Sequence, residues 1–178
     1  LAALLAGEVD AIESVPPADM GRLRANAKLA VEQRPSWRTL FFQLDQYRDR
    51  SPFVTDRAGR PLDRNPLRDP RVREALSLAV DRRALCERTL DGLATPASNL
   101  VAPGILGHHE GFKPPNADPA AARRLLAEAG LPEGFGLTLH GPNDRYINDE
   151  QVVQTVAQMF ARIGIVAKVE TMPVAVYF

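Results

Sequence analysis

A loop between a predicted strand and a predicted helix carries the side chains with the strongest potential for binding chemistry. Its candidate binding residues are Asn143, Asp144, Arg145 and Tyr146. An arginine guanidinium can hold a carboxylate through two parallel hydrogen bonds, so Arg145 is a candidate partner for an acidic ligand group. The alternative interpretation is that this guanidinium forms an internal ion pair with Asp144, Asp149 or Glu150.

Other reactive side chains do not form a recognisable catalytic set. The sequence contains no Gly-x-Ser-x-Gly elbow, no phosphate-binding P-loop, no His-Glu-x-x-His pair and no cysteine cluster. His140 follows a predicted strand, but no nucleophile has a suitable spacing to it. We interpret His140 as a half-buried residue at a strand end, and we predict that the protein is not an enzyme.

Adjacent histidines, His108 and His109, stand before Glu110 in a segment rich in glycine and proline. Neighbouring residues on an extended chain point in opposite directions, and no third ligand has helical or turn spacing to this pair. We therefore predict no metal site and no cofactor.

The candidate loop is positioned by a strand, a helix and a second strand. A strand is predicted at 137–140, the loop at 141–148, a helix at 149–163 and a second strand at 165–171. This order predicts two parallel strands joined by a right-handed crossover. Ligands collect at the carboxyl ends of strands in such units, which is where the loop would lie.

Residues 65–97 carry the strongest helix signals in the chain. Asp69 is a good N-cap, and Pro70 suits the first helical position. Apolar residues then recur at the spacing of one helix face, at Val72, Ala75, Leu76, Ala79 and Val80. After a tight break at Val80-Asp81, a second helix capped by Asp81 is predicted to end at Gly92. Its inward residues would be Leu85, Thr89 and Leu90.

The remaining stretches are assigned from apolar periodicity and turn residues. Helices are predicted at 1–6, 18–25 and 118–130, and strands at 9–15, 29–34 and 37–44. The last of these strands is apolar on both sides near its centre, which predicts burial on both faces. Segments 45–68 and 95–116 are predicted to be irregular.

The composition is that of an ordinary globular protein and limits the classes of partner that the protein could bind. Of 178 residues, 45% are hydrophobic, and 22 basic residues are balanced by 22 acidic ones. A net charge of zero argues against nucleic acid as the main partner. Cys86 is the only cysteine, and its helical context predicts a buried thiol. No stretch could span a membrane, and a chain that begins at Leu1 without a terminal signal is expected to be a fragment.

Three spaced motifs resemble those of the extracytoplasmic solute-binding proteins that serve peptide and nickel ABC importers. R-V-R-x-A-L-x-x-A-(V/I)-D-R is matched from Arg71 to Arg82. D-P-x-x-A-x-x-L-L-x-E-A-G-x-P-x-G-F is matched from Asp118 to Phe135, and L-x-x-G-E-V-D is matched at residues 4–10. The motifs stand in the order expected for this family, and the resemblance covers nearly the whole chain.

The resemblance implies an α/β fold, with a mixed sheet flanked by helices, that forms lobe II of a two-lobed periplasmic binding protein. Residues 1–38 would be the end of the lobe I segment, and residues 39–178 would be most of lobe II. The strand at 37–44 would cross between the lobes, and Trp37 would pack at the hinge or stack on a ligand. The acidic residue that usually holds a ligand's amino terminus would lie beyond Phe178.

The implied function is capture of a peptide or similar small solute outside the cytoplasm and its delivery to ABC transporter permease subunits. Arg145 matches the loop arginine that contacts the ligand carboxylate in dipeptide-binding relatives. Membrane association would occur only through the transporter or through a lipid anchor outside this segment. The resemblance leaves open whether the ligand is a dipeptide, an oligopeptide, a glutathione-like peptide, an opine or a metal chelate. A solute sensor of the same fold and, less favoured, an enzyme that uses His140 remain alternatives.

Overall fold

The computed structural model describes residues 1–13 and 15–178, which form an α/β arrangement. The helices, in chain order, are α1 (Ala2–Ala6), α2 (Pro17–Arg24), α3 (Pro70–Ala79), α4 (Arg82–Ala84), α5 (Pro119–Glu128), α6 (Asp149–Ala161) and α7 (Val174–Tyr177). The strands are β1 (Val54–Thr55), β2 (Gly136–Pro142) and β3 (Val166–Met172). A 3-10 turn at Pro66–Arg68 precedes α3, and a π-helical turn at Leu85–Thr89 follows α4.

The strands form one mixed sheet in the order β1-β2-β3. β2 and β3 run parallel, from Gly136 opposite Val166 to Pro142 opposite Met172, and α6 connects them. The predicted strand-helix-strand unit and the mixed sheet flanked by helices are therefore confirmed. Antiparallel β1 lies on the other edge of β2, inside a segment predicted to be irregular. At two residues, β1 is too short to show the alternation that identifies a strand.

The core lies between the sheet and the helices around it. α6 packs on β2 and β3, and α3 packs against α5. The largest fully buried side chains of the described residues are Phe135, Leu67, Leu126, Ile163, Ile165, Val54, Val72 and Val156. The predicted inner face of α3 is confirmed for Val72, Ala75, Leu76 and Ala79, which are buried, whereas Val80 follows the end of the helix and is partly buried.

Aspartates cap α3 and α5 as the sequence predicts. The Asp69 carboxylate accepts a hydrogen bond from the Arg71 amide at 2.9 Å. The Asp118 carboxylate accepts one from the Ala121 amide at 2.8 Å. Each cap satisfies a first-turn amide that has no partner within its own helix, so Asp69 and Asp118 set where α3 and α5 begin.

The second predicted helix of residues 81–92 is formed only in part. Asp81 caps it, with the Ala84 amide donating to the aspartate carboxylate at 2.9 Å. The chain then widens into the π-helical turn, which ends at Thr89, and Gly92 follows in the left-handed region at φ 71°. Cys86 is buried within the turn, as predicted, and this burial raises the pKa of its thiol. Burial and a raised pKa both favour the neutral thiol, which is typical of a packing residue.

Arg82 ties the tight break between α3 and α4 together. Its guanidinium is half-buried and donates to the Ser77 carbonyl at 3.0 Å, the Val80 carbonyl at 3.3 Å and the Ser77 hydroxyl at 2.9 Å. Burial lowers the pKa of Arg82. The final signature arginine therefore bonds carbonyl groups at the end of α3, where the Ser77 carbonyl also accepts the Val80 amide at 3.3 Å.

We expect Arg82→Lys to lower the free energy of unfolding by about 1.5 kcal/mol, because an ammonium cannot reproduce the planar fork that reaches these acceptors. Arg83→Lys is the matched control, since Arg83 is the exposed neighbour and should change stability by less than about 0.5 kcal/mol. Chemical denaturation measures both variants. Equal midpoints for the two variants would contradict the role given to Arg82.

The strands predicted at 9–15, 29–34 and 37–44 are wrong, because their described residues form neither strand nor helix. Ser14, within the first of them, lies outside the described residues. The predicted burial of the last strand is also wrong, since Trp37 is 79% exposed and Phe41 is 62% exposed. A strand needs a neighbour to complete its hydrogen bonds, and among the described residues no strand pairs with these segments.

Candidate functional site

The candidate loop of residues 143–148 lies at the carboxyl end of β2, where the parallel topology predicts it. β2 ends at Pro142 beside Met172 of β3, and α6 begins at Asp149. The Asn143 amide donates to the Met172 carbonyl at 3.1 Å, which continues the contact between the two strands into the loop. The loop is therefore held at a defined edge of the sheet.

Arg145 is exposed, and its guanidinium carbon lies 5.4 Å from the centre of the Tyr146 ring. This distance is within the range of cation–π attraction, so the half-buried ring supports the guanidinium. The described residues form no ion pair that includes Arg145. The internal ion pair weighed from the sequence is thus not formed within the described chain, and the hydrogen-bond donors of the guanidinium face solvent.

Asn143 and Asp144 are exposed residues that differ in what their side chains do. An oxygen of the Asp144 carboxylate accepts a hydrogen bond from the Val174 amide at 2.7 Å. This bond connects the loop to the start of α7, just after β3. Asp144 therefore holds the loop in place, whereas no hydrogen bond of the Asn143 side chain to a described residue is present.

Asp149 shapes the candidate loop, although the sequence indicated it only as a possible ion-pair partner of Arg145. It is 5% exposed, and its carboxylate accepts hydrogen bonds from the amides of Arg145 at 2.9 Å and Tyr146 at 3.0 Å. The Glu150 amide donates to its other oxygen at 3.0 Å. Asp149 thus contacts Arg145 through the backbone and not through the guanidinium.

Asn148 was also missed, although asparagine before a helix-initiating aspartate is a recognisable turn signal. Its backbone is in the left-handed region at φ 50°, and its side-chain amide donates to the Thr89 carbonyl at 2.8 Å. The hydroxyls of Thr89 and Thr155 are 3.2 Å apart. The loop is therefore connected to the π-helical turn and, through it, to α6.

His140 occupies the half-buried strand-end position that the sequence predicts. Its Nε2 lies 3.0 Å from an oxygen of Glu170, which is opposite it on β3. The ring centres of His140 and Phe53 are 5.0 Å apart in an edge-to-face arrangement. Lys168 bonds the other oxygen of Glu170 at 2.6 Å. The pKa of Glu170 is lowered, most strongly by the hydrogen bond from Lys168 and next by that from His140.

The paired histidines face different partners, as expected for neighbours on an irregular chain. His108 Nδ1 lies 2.8 Å from the Val101 carbonyl, whereas His109 stacks on Phe112 at 4.5 Å. Within the described part of the chain, no group of three or more potential ligands is arranged to hold a metal ion.

Concave surfaces occur away from the candidate loop. One, of about 280 Å³, lies beside the break after α3, and its lining includes Arg82, Arg83, Pro96, Pro114 and Pro115. Another, of about 420 Å³, lies between the end of α6 and the start of β3. Among the residues described, none of the helices combines the length and apolar character that crossing a bilayer requires.

The complete chain, residues 1–178, matches the family model of the bacterial extracellular solute-binding proteins, family 5 Middle. This chain belongs to that family. The resemblance identified from the three spaced motifs is therefore confirmed, and the protein is a member of a family of binding proteins.

Individual relatives agree with the family assignment. The glutathione-binding protein GsiB of Salmonella choleraesuis is 41% identical over 107 residues, which cover 60% of this chain and 20% of that protein. DppA from Helicobacter pylori, solved in complex with the peptide STSA, superposes with a TM-score of 0.73 at 21% identity, over 99% of this chain and 31% of that chain. A dipeptide-binding protein from Pseudoalteromonas sp. SM9913, solved with Met-Leu, gives a TM-score of 0.71 at 19% identity, over 99% and 32%.

The two solved structures establish a shared fold, and the predicted α/β architecture of a periplasmic binding protein is confirmed by it. The chain spans about a fifth of the length of the curated relatives it matches.

Proposed function

We propose that this chain is part of the solute-binding component of an ABC-type importer, and that its loop 143–148 contacts a carboxylate of the captured solute. The observation that carries the proposal is the exposed guanidinium of Arg145, supported by Tyr146 at the carboxyl end of β2. A ligand carboxylate that leaves water needs a charged partner of this kind.

The ligand class we propose is a short peptide or peptide-like solute, with glutathione and dipeptides as the first candidates. Support comes from the glutathione-binding relative, which shares 41% identity over 107 residues. Further support comes from the two peptide-bound structures of the same fold. Every such ligand has a carboxylate for Arg145 to hold, whatever its side chains are.

The proposal extends to the lobes, the location and the partners of the protein. Residues 39–178 would form most of lobe II and residues 1–38 the end of lobe I, with ligand held between lobes that close around a hinge. The protein would act in the periplasm or outside the cell, with ABC permease subunits as partners and without catalysis or a cofactor. Asn143 and Tyr146 would contact the solute beside Arg145, and Asp144 would hold the loop that presents them.

The test is calorimetry of the complete gene product that carries residues 1–178, with glutathione and the dipeptide Met-Leu as probes. Arg145→Ala should weaken binding by about 10- to 100-fold, which corresponds to the loss of a charge-assisted hydrogen-bond pair. Arg145→Lys should recover only part of this loss, because lysine keeps the charge without the bidentate geometry.

Arg124→Ala is the matched control, since Arg124 is an exposed arginine on α5 and should leave affinity unchanged. Equal affinities of the Arg145→Ala and Arg124→Ala proteins would overturn the role of Arg145. Absence of binding to peptides, together with binding of an opine or nickel chelate, would overturn the ligand class. A wild-type protein that binds neither these peptides nor an opine nor a nickel chelate in calorimetry would overturn the importer assignment.

A further inference from the structure

The carboxylate of Asp149 is buried without a charged partner among the described residues. Its exposed fraction is 5%, and its hydrogen-bond donors are the backbone amides of Arg145, Tyr146 and Glu150 at 2.9, 3.0 and 3.0 Å. A buried carboxylate is costly unless donors surround it, and here every donor is a backbone group of the loop or of the helix start. The Asp149 carboxylate therefore fixes the conformation of the backbone at Arg145, Tyr146 and Glu150.

Two of those donors belong to the residues that form the cation–π pair. The amides of Arg145 and Tyr146 converge on one oxygen of Asp149. With both peptide groups held, the backbone that carries the guanidinium and the ring has one defined course. The 5.4 Å approach of the Arg145 guanidinium to the Tyr146 ring then needs only side-chain ordering.

Asn148 holds the other end of the loop. Its left-handed backbone, at φ 50°, directs the chain into α6, and its side-chain amide donates to the Thr89 carbonyl at 2.8 Å. Thr89 ends the π-helical turn of Leu85–Thr89, and π-helical turns are frequent at functional sites. The π-helical turn that follows the family signature is thus connected directly to the candidate ligand loop.

We propose that Asp149 is a positioning residue for Arg145, with Asn148 as its second anchor, and that together they set the affinity for the ligand carboxylate. This inference rests on the proposed function. Its physical basis is preorganisation, because a loop that is already ordered loses less conformational entropy when ligand binds. Asp149 acts through the loop backbone and does not touch the solute.

The experiment measures binding of Met-Leu and of its C-terminal amide to the complete gene product. Asp149→Asn replaces one acceptor oxygen with a donor, and we expect it to weaken Met-Leu binding by about 10-fold. Binding of the amide, which lacks the carboxylate, should change by less than about 2-fold. In an Arg145→Ala background, Asp149→Asn should likewise add less than about 2-fold, because the two residues act through the same interaction.

Glu150→Gln is the matched control, because it removes the same charge in the same helical turn from a side chain that bonds Gln154 instead of the loop amides. If Asp149→Asn does not fold, Asn148→Gly carries the test, since glycine keeps the positive φ and removes only the bond to Thr89. Full affinity in either folded variant would overturn the proposal. An equal loss for the acid and the amide would overturn it as well, by showing general destabilisation.

Amide hydrogen exchange tests the positioning role of Asp149 separately from the proposed function. In the ligand-free protein, the amides of Arg145 and Tyr146 should exchange at least about 10-fold faster after Asp149→Asn, with no change after Glu150→Gln. Unchanged exchange would overturn the positioning role even where peptides bind. A wild-type protein that binds no peptide would overturn the proposed function. The loop anchor would still stand if Asp149→Asn speeds the exchange of the two amides.

Discussion

Replacing Gly134 with alanine is expected to lower the free energy of unfolding by about 4 kcal/mol or more, the range of the most damaging single substitutions. Gly134 has a φ of 79°, and a Cβ built there would lie 3.0 Å from the Gly164 Cα and closer still to the Gly164 carbonyl group. These are backbone atoms of the segment that leads into β3, and they cannot rotate away. The substitution would therefore force apart the starts of β2 and β3.

Gly130→Ala separates this steric effect from backbone strain alone. Gly130 has a φ of 82°, but nothing lies within 4 Å of the Cβ position. Its alanine variant should lose only about 1–2 kcal/mol, the cost of the left-handed conformation. Urea denaturation followed by far-ultraviolet circular dichroism measures both variants. Similar midpoints for the two variants would show that the close approach of Gly134 to Gly164 does not add to the loss of stability.

Replacing Asn65 with alanine is expected to cost about 3 kcal/mol, because three polar groups lose their partner together. The buried Asn65 side chain donates to the carbonyls of Asp45 at 2.6 Å and Arg48 at 2.9 Å. Its oxygen accepts from the Leu67 amide at 3.0 Å and caps the 3-10 turn before α3. One side chain thus holds both ends of the irregular segment that contains β1.

Asn116→Ala is the control for this prediction, because Asn116 is an exposed asparagine whose loss should change stability by less than about 0.5 kcal/mol. The same denaturation measurement applies. A midpoint for Asn65→Ala within error of the Asn116→Ala midpoint would contradict the role of Asn65. A large effect would also show that a mostly irregular segment can be as well anchored as a helix.

The local signals in the sequence were sufficient for α3, α5, α6 and the parallel strand pair, but not for the helix predicted at 81–92, which forms only in part, or for α7. Asp69 and Asp118 cap helices at the predicted positions, and the buried face of α3 follows its apolar spacing. The strand predicted at 37–44 shows where this reasoning ends. Alternating apolar residues make a segment suitable for a sheet, but a strand forms only where another segment supplies hydrogen-bond partners.

The candidate loop shows a similar division. Its location followed from topology, and the chemistry of Arg145 followed from its side chain. The anchors did not, because the buried carboxylate of Asp149 and the bond from Asn148 to Thr89 depend on tertiary packing. Thr89 is separated from Asn148 by 59 positions, a distance over which periodicity carries no information. β1 was missed for a related reason, since its pairing with β2 defines it.

The exposed position of Trp37 has a consequence for optical measurements. It is the only tryptophan, and it is 79% exposed in a segment without regular structure. Its fluorescence therefore reports the surroundings of that segment and is insensitive to the packing of Phe135 or Leu126 in the core. Under the proposed assignment of this segment to the crossover between lobes, a blue shift of the emission would follow the movement of the lobes, while circular dichroism follows unfolding.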